Sequence, residues 1–233
     1  MVDFACGALF DLDGTLIDTY QPHWRSWSLT CREYGVELEE SIFAKSFGRR
    51  NPEVIPIYWT SAGKVPPHES SFNAIASRKE QIYRERVEDD FPIFEGCLNF
   101  LDDLLAHGVR LAIGTSAPPE NVAQALRHLG PMRFQAVVDA SQVKEGKPAP
   151  DVYLEAARRL KLGIHQCAVF EDAEVGLQAA RRAGARRIAF QPLQTPPLSA
   201  QICFHAWKQW TASKFVDWMK NDVSESKEAP WIR

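Results

Sequence analysis

The chain has 233 residues, of which 45% are hydrophobic, so it can bury a full core and is neither a disordered nor a repeat protein. Its 27 Lys+Arg against 30 Asp+Glu give a formal net charge of −3, and the lack of a basic excess argues against nucleic acid as a partner. The five cysteines show no C-x-x-C spacing, and no stretch approaches the roughly 18 apolar residues of a membrane span. We therefore expect a soluble cytoplasmic protein, a monomer or weak dimer, that binds no nucleic acid and no membrane.

The first predicted strand, residues 4–10, is mostly apolar and is followed by two carboxylates one residue apart, Asp11 and Asp13. Like charges this close raise each other's proton affinity unless a cation compensates, so the pair predicts a Mg²⁺ site, a carboxylate held protonated, or both. Gly14 would let the backbone turn without a Cβ that obstructs a ligand. The alternative is that the two acids only cap a turn.

The segment after this strand changes character and is predicted to be helical. Trp24, Trp27 and Cys31 recur at helical spacing. Predicted helices lie at residues 23–34, 39–47, 51–59 and 69–88. We interpret residues 19–90 as a helical cap domain inserted into a core domain made of residues 1–18 and 91–233.

From residue 96 onward, predicted helices and strands alternate. The helices lie at residues 97–107, 120–129, 151–160 and 175–183, and the strands at 110–115, 136–138, 167–171 and 187–190. Strands that alternate with helices of this length indicate right-handed β-α-β units and a parallel sheet. The predicted fold is therefore α/β, with a doubly wound parallel-sheet core and an inserted helical domain.

The tail after residue 190 is predicted to contain a proline-rich loop at 191–197, one amphipathic helix at 206–219 and a polar, frayed end at 224–233. Four aromatic residues have spacings that fit a helix covering the sheet: Trp207, Trp210, Phe215 and Trp218. Core packing is the usual role of such side chains, so we expect them to be buried rather than to stack on a ligand.

Polar side chains follow the later strands as they follow the first. Thr115 and Ser116 come after one strand, Glu171 and Asp172 after another, and Lys147 lies between a glycine and a proline. Each has an ordinary alternative. Thr115 could cap a helix, Glu171 and Asp172 could begin a helix whose dipole favours acids, and Lys147 could be a surface lysine. Because the carboxyl ends of parallel strands meet at one edge of the sheet, their combination predicts a phosphate site there.

These residues resemble the motifs of the haloacid dehalogenase superfamily, and within it the β-phosphoglucomutase-like group of phosphatases and mutases. The motifs are Asp11-Leu12-Asp13-Gly14-Thr15, Thr115, Lys147 and Glu171-Asp172. The similarity extends to about residue 190 and includes the position of the cap. It implies a Rossmann-like core with a helical cap, as the alternating elements also predict.

The resemblance implies that Asp11 is the nucleophile, which forms an aspartyl-phosphate, and that Asp13 is the general acid and base. Superfamily members that remove halide lack the second aspartate, so Asp13 argues for phosphoryl transfer. The implied Mg²⁺ ligands are the Asp11 carboxylate, the Asp13 backbone carbonyl, Asp172 and Glu171.

The resemblance also implies which groups hold the substrate. The phosphate oxygens would be bound by Lys147, Thr115 and the backbone amides near Leu12 and Ser116. Substrate contacts from the cap are expected at His23, Arg49, Arg50 and Lys79. His23 has an alternative role as a hinge or packing histidine, and arginine suits bidentate recognition of a second anionic group.

The sequence therefore predicts a Mg²⁺-dependent phosphatase that acts on a small phosphorylated metabolite such as a sugar phosphate. The alternative is a β-phosphoglucomutase-type isomerase that returns the phosphoryl group to a sugar hydroxyl. Phosphonate-cleaving relatives need a cap lysine for an imine, and residues 47–58 contain none. A binding module without activity is disfavoured, because every expected catalytic position is present.

Overall fold

The computed structural model describes residues 5–192 and 198–221, and every structural statement below concerns these residues. Its centre is a six-stranded sheet in which all neighbouring strands are parallel. In sheet order the strands are β3 (Ala136–Val138), β2 (Arg110–Gly114), β1 (Gly7–Phe10), β4 (Cys167–Glu171), β5 (Arg186–Phe190) and β6 (Ile202–Phe204). The order reverses beside β1, which is where α/β sheets open a crevice for ligands.

Helices cover both faces of the sheet. The core helices are α5 (Cys97–Ala106), α6 (Pro119–Leu129), α7 (Asp151–Arg159), α8 (Glu174–Ala183) and α9 (Ala212–Lys220). Successive side chains of a strand point to opposite faces. Ala8 and Phe10 accordingly pack with α5, α6 and α9, whereas Leu9 packs with α7 and α8. The apolar strand β1 is therefore covered on both sides, as its sequence predicts.

Four further helices lie between β1 and α5 in the sequence. They are α1 (Tyr20–Glu33), α2 (Glu40–Ser46), α3 (Asn51–Ser61) and α4 (Phe72–Val87). They enclose a separate apolar cluster that includes Trp27, Phe43, Tyr58 and Ile75. The predicted α/β class, the parallel sheet and the four helical segments between the first two strands are confirmed.

The tail differs from its prediction in two ways. The expected single helix at 206–219 is a 3-10 turn, Trp207–Gln209, followed by α9, because the Thr211 hydroxyl accepts a hydrogen bond from the Lys214 N–H (3.3 Å) and starts a new helix. Strand β6 was not predicted, since three residues at a sheet edge carry too little periodicity to be recognised.

The aromatic residues of the tail are buried in the core, as expected. Trp207 and Phe215 pack around Phe170 of β4 with ring-centroid distances of 5.7 and 5.8 Å. The predictions for residues 224–233, for residues 193–197 of the proline-rich loop and for Phe4 in the first strand lie outside the described residues. Within the described part of the chain, no helix combines the length and apolarity that crossing a bilayer would take.

Candidate active site

The predicted site residues meet at the carboxyl edge of the sheet. Asp11 follows β1, and its N–H donates to the Phe170 carbonyl at 3.0 Å, which carries the pairing with β4 one residue beyond the strand. Thr115 follows β2 and its N–H donates to the Val138 carbonyl at the same distance. These backbone bonds fix two side chains at neighbouring strand ends, so their separation is set by the sheet rather than by a loop.

Lys147 lies between two of the carboxylates. Its ammonium nitrogen is 2.5 Å from Asp11 Oδ1 and 2.6 Å from Glu171 Oε1, and its side chain is 1% exposed. Burial would lower the pKa of Lys147, but the charges and hydrogen bonds of the two acids raise it, so the lysine stays protonated. Burial raises the pKa of Asp11 from 3.8 to about 7, and Lys147 opposes that rise. One buried ammonium group therefore compensates the charge of two buried carboxylates.

Glu171 is held by four donors. Lys147 and the Tyr153 hydroxyl (2.8 Å) donate to Oε1, and the N–H groups of Asp172 and Ala173 donate to Oε2 at 3.0 Å each. A carboxylate has about four acceptor positions, so this one is saturated. Glu171 thus orients Lys147, and it would bind a metal ion directly only after one of these hydrogen bonds is replaced.

Asp11, Glu171 and Asp172 form a group of carboxylates that could hold a metal ion. One oxygen from each lies within 4.8 Å of the other two. The Thr15 hydroxyl donates to Asp172 Oδ1 at 3.0 Å, and Gly14, at φ +84°, leaves the space beside the Asp172 carboxylate that a Cβ would fill. Because hard oxygen ligands suit Mg²⁺, the residues present fit the predicted ion.

The stability of the metal-free protein should fall as pH rises toward neutrality. Burial raises the pKa of Asp11 to about 7 and that of Asp172 well above its usual value, so from about pH 4 to pH 7 the folded state binds more protons than the unfolded state and loses stability as pH increases. A cation favours the ionised carboxylates. We expect Mg²⁺ to raise the unfolding temperature more at pH 7.5 than at pH 5, measured by calorimetry against chelator.

The matched control for this prediction is Asp172→Asn, in which the Mg²⁺ effect should shrink at both pH values. An equal effect of Mg²⁺ on wild-type protein at pH 5 and pH 7.5 would contradict the prediction that the buried acids destabilise the metal-free protein near neutral pH.

The Asp13 carboxylate is held by side chains from the helices that follow β1 and from the residue before the first of them. It accepts hydrogen bonds from the Thr19 hydroxyl (2.8 Å), His23 Nε2 (3.0 Å) and the Tyr83 hydroxyl (3.5 Å). Burial alone would raise the pKa of Asp13, but His23, Thr19 and the charge of Lys79 lower it below its ordinary value. Asp13 is therefore ionised at rest. Its carboxylate is not part of the group formed by Asp11, Glu171 and Asp172, and the predicted metal contact through its backbone carbonyl stays a prediction.

His23 is ordered by two residues of α4. Lys79 Nζ lies 2.6 Å from His23 Nδ1, and the Tyr83 ring stacks on the imidazole with centroids 4.0 Å apart and planes at 4°. A charged lysine can only donate, so Nδ1 accepts and Nε2 carries the hydrogen that bonds Asp13. The His23 ring therefore packs against Tyr83, as its alternative role would have it, and is also hydrogen-bonded to Asp13.

A cavity of about 50 Å³ separates Asp11 from the four helices and brings together most of the predicted site residues. Those lining it are Asp11, Asp13, His23, Arg49, Lys79, Thr115 and Ser116. The Thr115 hydroxyl also accepts from the Ala117 N–H (3.0 Å), which shapes the turn after β2. Leu12 has a fully buried side chain, so any contact with a substrate would come from its backbone.

The two arginines predicted to bind the substrate differ in their contacts. Arg50 donates to the carbonyls of Val143 and Lys144 at 3.2 Å each, which ties α3 to the loop that carries Lys147. Its predicted substrate contact is untested, and these bonds would have to be exchanged to make one. Arg49 lines the cavity, and its guanidinium lies 3.9 Å from the Glu53 carboxylate.

Sequence reasoning missed several residues of the site. Tyr153 and Tyr83 look like core aromatics of helices, and only their hydroxyl contacts give them a role. Thr19 lies between Asp13 and His23 in the sequence, and Glu80 directly follows Lys79, but neither belongs to a motif. Tyr83 is four positions after Lys79 and so lies on the same helix face, which is the one signal that would have indicated it.

The chain is similar in sequence and in fold to known proteins. The sequence profile of the haloacid dehalogenase-like hydrolases matches residues 8–190. A fructose-1-phosphate phosphatase of Escherichia coli is 33% identical over 190 residues, which cover 79% of this chain and 95% of that protein. A hexitol phosphatase of the same organism is 34% identical over 211 residues, covering 89% and 94%.

Among solved structures, a β-phosphoglucomutase of Clostridium difficile superimposes with a TM-score of 0.84. The two chains are 20% identical in sequence, and the match covers 92% of this chain and 97% of the other. At that identity the likeness concerns the fold alone.

Proposed function

The chain belongs to the haloacid dehalogenase-like hydrolase family, and from that premise we propose that it is a Mg²⁺-dependent phosphatase of small phosphorylated metabolites, sugar phosphates first. The observation that carries the proposal is that two carboxylates with different partners line one small cavity. Asp11 is paired with a buried lysine, and Asp13 is paired with a histidine. The first arrangement suits a nucleophile beside a phosphate, and the second suits a group that exchanges protons.

In the first step we propose that an Asp11 carboxylate oxygen attacks the phosphorus. The P–O bond to the substrate breaks and an aspartyl-phosphate forms. Asp13, which is ionised at rest, first takes up a proton from solvent as the substrate binds and then gives it to the departing alkoxide. In the second step water attacks the phosphorus, Asp13 takes a proton from that water, and the carboxylate of Asp11 is released with inorganic phosphate. The lowered pKa of Asp13 favours the ionised form, which this second step requires.

The oxygens of the transferred phosphoryl group would be held by Lys147, by the Thr115 hydroxyl and by backbone amides at Leu12 and Ser116. Donors placed where charge redistributes in the transition state need no reorganisation during the reaction. We propose that Asp11, Asp172 and the Asp13 backbone carbonyl hold Mg²⁺, with Glu171 contributing charge. When bound, the ion would neutralise the repulsion between the attacking carboxylate and the phosphate.

We propose that residues 19–90 act as a cap that closes over this site, with the core formed by residues 1–18 and 91–233. His23, Arg49, Arg50 and Lys79 are the cap residues proposed to bind the substrate. The relatives named for fructose-1-phosphate and hexitol phosphates support a phosphorylated sugar or sugar alcohol as the substrate class. A closed cap would exclude bulk water from the aspartyl-phosphate until the leaving group departs.

The second candidate is a sugar-phosphate mutase. The same Asp11 and Asp13 would serve it, with a sugar hydroxyl in place of water as the acceptor of the phosphoryl group. The β-phosphoglucomutase likeness concerns the fold and leaves this choice open to experiment.

A direct test incubates the purified protein with Mg²⁺ and a panel of hexose, pentose and hexitol phosphates while inorganic phosphate and isomerised sugar phosphate are measured together. We expect phosphate release without isomer. Isomer without phosphate would replace the phosphatase by the mutase, and neither product from any substrate would refute both.

Asp13→Asn should separate binding from catalysis. The amide keeps the shape of the side chain but cannot donate a proton to the alkoxide or accept one from water, so we expect kcat to fall by about 10²-fold or more. A phosphate analogue such as tungstate should still bind, because Lys147 and Asp11 are untouched, and calorimetry would measure this. Normal turnover in the variant would remove Asp13 from the mechanism.

A further inference from the structure

Glu80 is a buried carboxylate on α4 at the edge of the same cavity, with 5% of the residue exposed. It accepts hydrogen bonds from three side chains: Lys79 Nζ (2.8 Å) and Asn51 Nδ2 (2.7 Å) at Oε1, and Asn121 Nδ2 (2.6 Å) at Oε2. Lys79 and Asn51 belong to helices that follow β1, whereas Asn121 belongs to α6, one of the core helices that cover the sheet. Glu80 therefore joins the two parts of the molecule beside the site.

We propose that Glu80 is a positioning residue for Asp13, acting through Lys79 and His23, and that its bond to Asn121 assembles this chain of contacts when α4 lies against α6. The proposal rests on the proposed function in one respect, namely that Asp13 is the acid and base of the reaction. The arrangement of Glu80, Lys79 and His23 can be tested whether or not the chain is a phosphatase.

The charge of Lys79 is the first reason. This lysine is 2% exposed, and the rings of Trp27 and Tyr83 lie 5.6 and 5.4 Å from its nitrogen. A buried ammonium needs a directly bonded anion to remain charged in such surroundings. Glu80 supplies that anion at 2.8 Å. Without it, the group that donates to His23 Nδ1 would lose its counter-charge.

The order of the contacts is the second reason. Glu80 accepts from Lys79, Lys79 donates to His23 Nδ1 at 2.6 Å, and His23 Nε2 donates to Asp13 Oδ1 at 3.0 Å. A charged Lys79 can only donate, so His23 Nδ1 must accept and Nε2 bears the hydrogen. That hydrogen faces Asp13. The carboxylate of Glu80 acts on this arrangement through the counter-charge that it gives Lys79.

The contact between α4 and α6 is the third reason. Arg84 Nη1 donates to Asn121 Oδ1 at 3.1 Å, and Gln124 Nε2 donates to the Arg84 carbonyl at 3.2 Å. Asn121 thus accepts from α4 with its oxygen and donates to α4 with its nitrogen. Moving α4 away from α6 would break the bond to Glu80, so the full chain of contacts exists only in the closed arrangement.

The test compares Glu80→Gln with Glu85→Gln, the same change on an exposed residue of the same helix. Glutamine keeps the shape but loses the charge and puts an N–H₂ group among donors. We expect kcat on the best substrate to fall by about 10- to 100-fold, as for other residues that orient a site residue through an intermediary, with KM changed by less than about threefold. Glu85→Gln should leave both constants unchanged.

The second measurement is the ¹⁵N NMR spectrum of the histidine rings, with His23 assigned by comparison with His23→Gln. In wild-type protein we expect the hydrogen on Nε2 and none on Nδ1. In Glu80→Gln the two His23 nitrogen signals should shift, while in Glu85→Gln they should not. If Glu80 only formed a structural ion pair, its replacement would lower the unfolding temperature. It would not shift the His23 signals, and it would not lower kcat while leaving KM nearly unchanged.

Unchanged His23 signals together with unchanged kcat in a folded Glu80→Gln protein would overturn the proposal. If that variant does not fold, Glu80→Asp keeps the charge but is one methylene too short to reach Lys79 and Asn121 together, and it should shift the same signals by less. His23 signals that respond in a protein without activity on any phosphate ester would refute the proposed function and leave the role of Glu80 intact.

Discussion

Asp11→Asn should abolish turnover while leaving the fold in place. Asparagine keeps an oxygen that can accept from Lys147, so the buried hydrogen bond at Asp11 Oδ1 persists. It lacks the anionic oxygen that must attack phosphorus, and no aspartyl-phosphate can form. Removing the nucleophile of another hydrolase costs about 10⁶-fold in kcat. We therefore expect a fall of at least about 10⁴-fold, measured by phosphate release with the best substrate of the panel.

The control for this variant is Asp217→Asn, an identical change at an exposed position on α9, which should retain full activity. Circular dichroism and the unfolding temperature would verify that Asp11→Asn is folded. The variant loses one buried acid whose pKa is raised by burial, so the metal-free protein should be as stable as wild type or more stable at pH 7.5. Substantial activity in a homogeneous Asp11→Asn preparation would exclude Asp11 as the nucleophile.

Lys147→Met should lower both activity and stability. Methionine retains the length of the side chain but removes the only ammonium that contacts Asp11 and Glu171 in the described structure. Loss of one donor to a transition state typically costs about 3 kcal/mol, or roughly 10²- to 10³-fold in kcat. We expect a loss in that range in saturating Mg²⁺, measured as the initial rate of phosphate release.

The stability effect has an electrostatic cause. Breaking a buried ion pair on one side leaves unpaired charge and costs roughly 3–5 kcal/mol, which for a chain of this size lowers the unfolding temperature by roughly 6–20 °C. The deficit should shrink at pH 5, because Asp11, with its raised pKa, then takes up a proton. Mg²⁺ should also restore part of it, since a second cation can occupy the acidic group.

Lys144→Met provides the matched control for this prediction. Lys144 lies in the same loop with an exposed side chain, and its carbonyl accepts a hydrogen bond from Arg50. We expect its unfolding temperature and kcat to equal those of wild type. If Lys147→Met were equally stable in the absence of Mg²⁺, the two buried acids would not depend on the lysine for compensation.

The elements that could be predicted are those whose pattern is local. The strand before Asp11 is covered on both faces and reads as a continuous apolar run, while α8 and α6 carry helical periodicity. Their alternation was enough for the parallel sheet, because β-α-β units have one preferred hand. Strand β6, with three residues at an edge, and the break at Thr211 depend on neighbours in space, and the sequence does not indicate them.

The candidate site divides in the same way. Asp11, Thr115, Lys147 and Asp172 could be found because each follows a predicted element and matches a motif at fixed spacing. The contacts that determine the protonation and orientation of these four residues could not be predicted in this way. Glu171 matches a motif as well, but its role in orienting Lys147 does not follow from the motif. The Tyr153 hydroxyl that donates to Glu171 lies 18 positions away in the chain and is brought there by the fold.

The sequence by itself determined the α/β class, the inserted helices and the set of chemical groups at the carboxyl edge, since these follow from periodicity and from the residues that end each strand. Only the tertiary structure decided which carboxylate is compensated by which cation. Asp11 receives Lys147 from 136 positions away, and Asp13 receives His23 and, through it, Lys79 and Glu80. Protonation depends on burial and on the nearest charges in space, and no local pattern in a chain contains either.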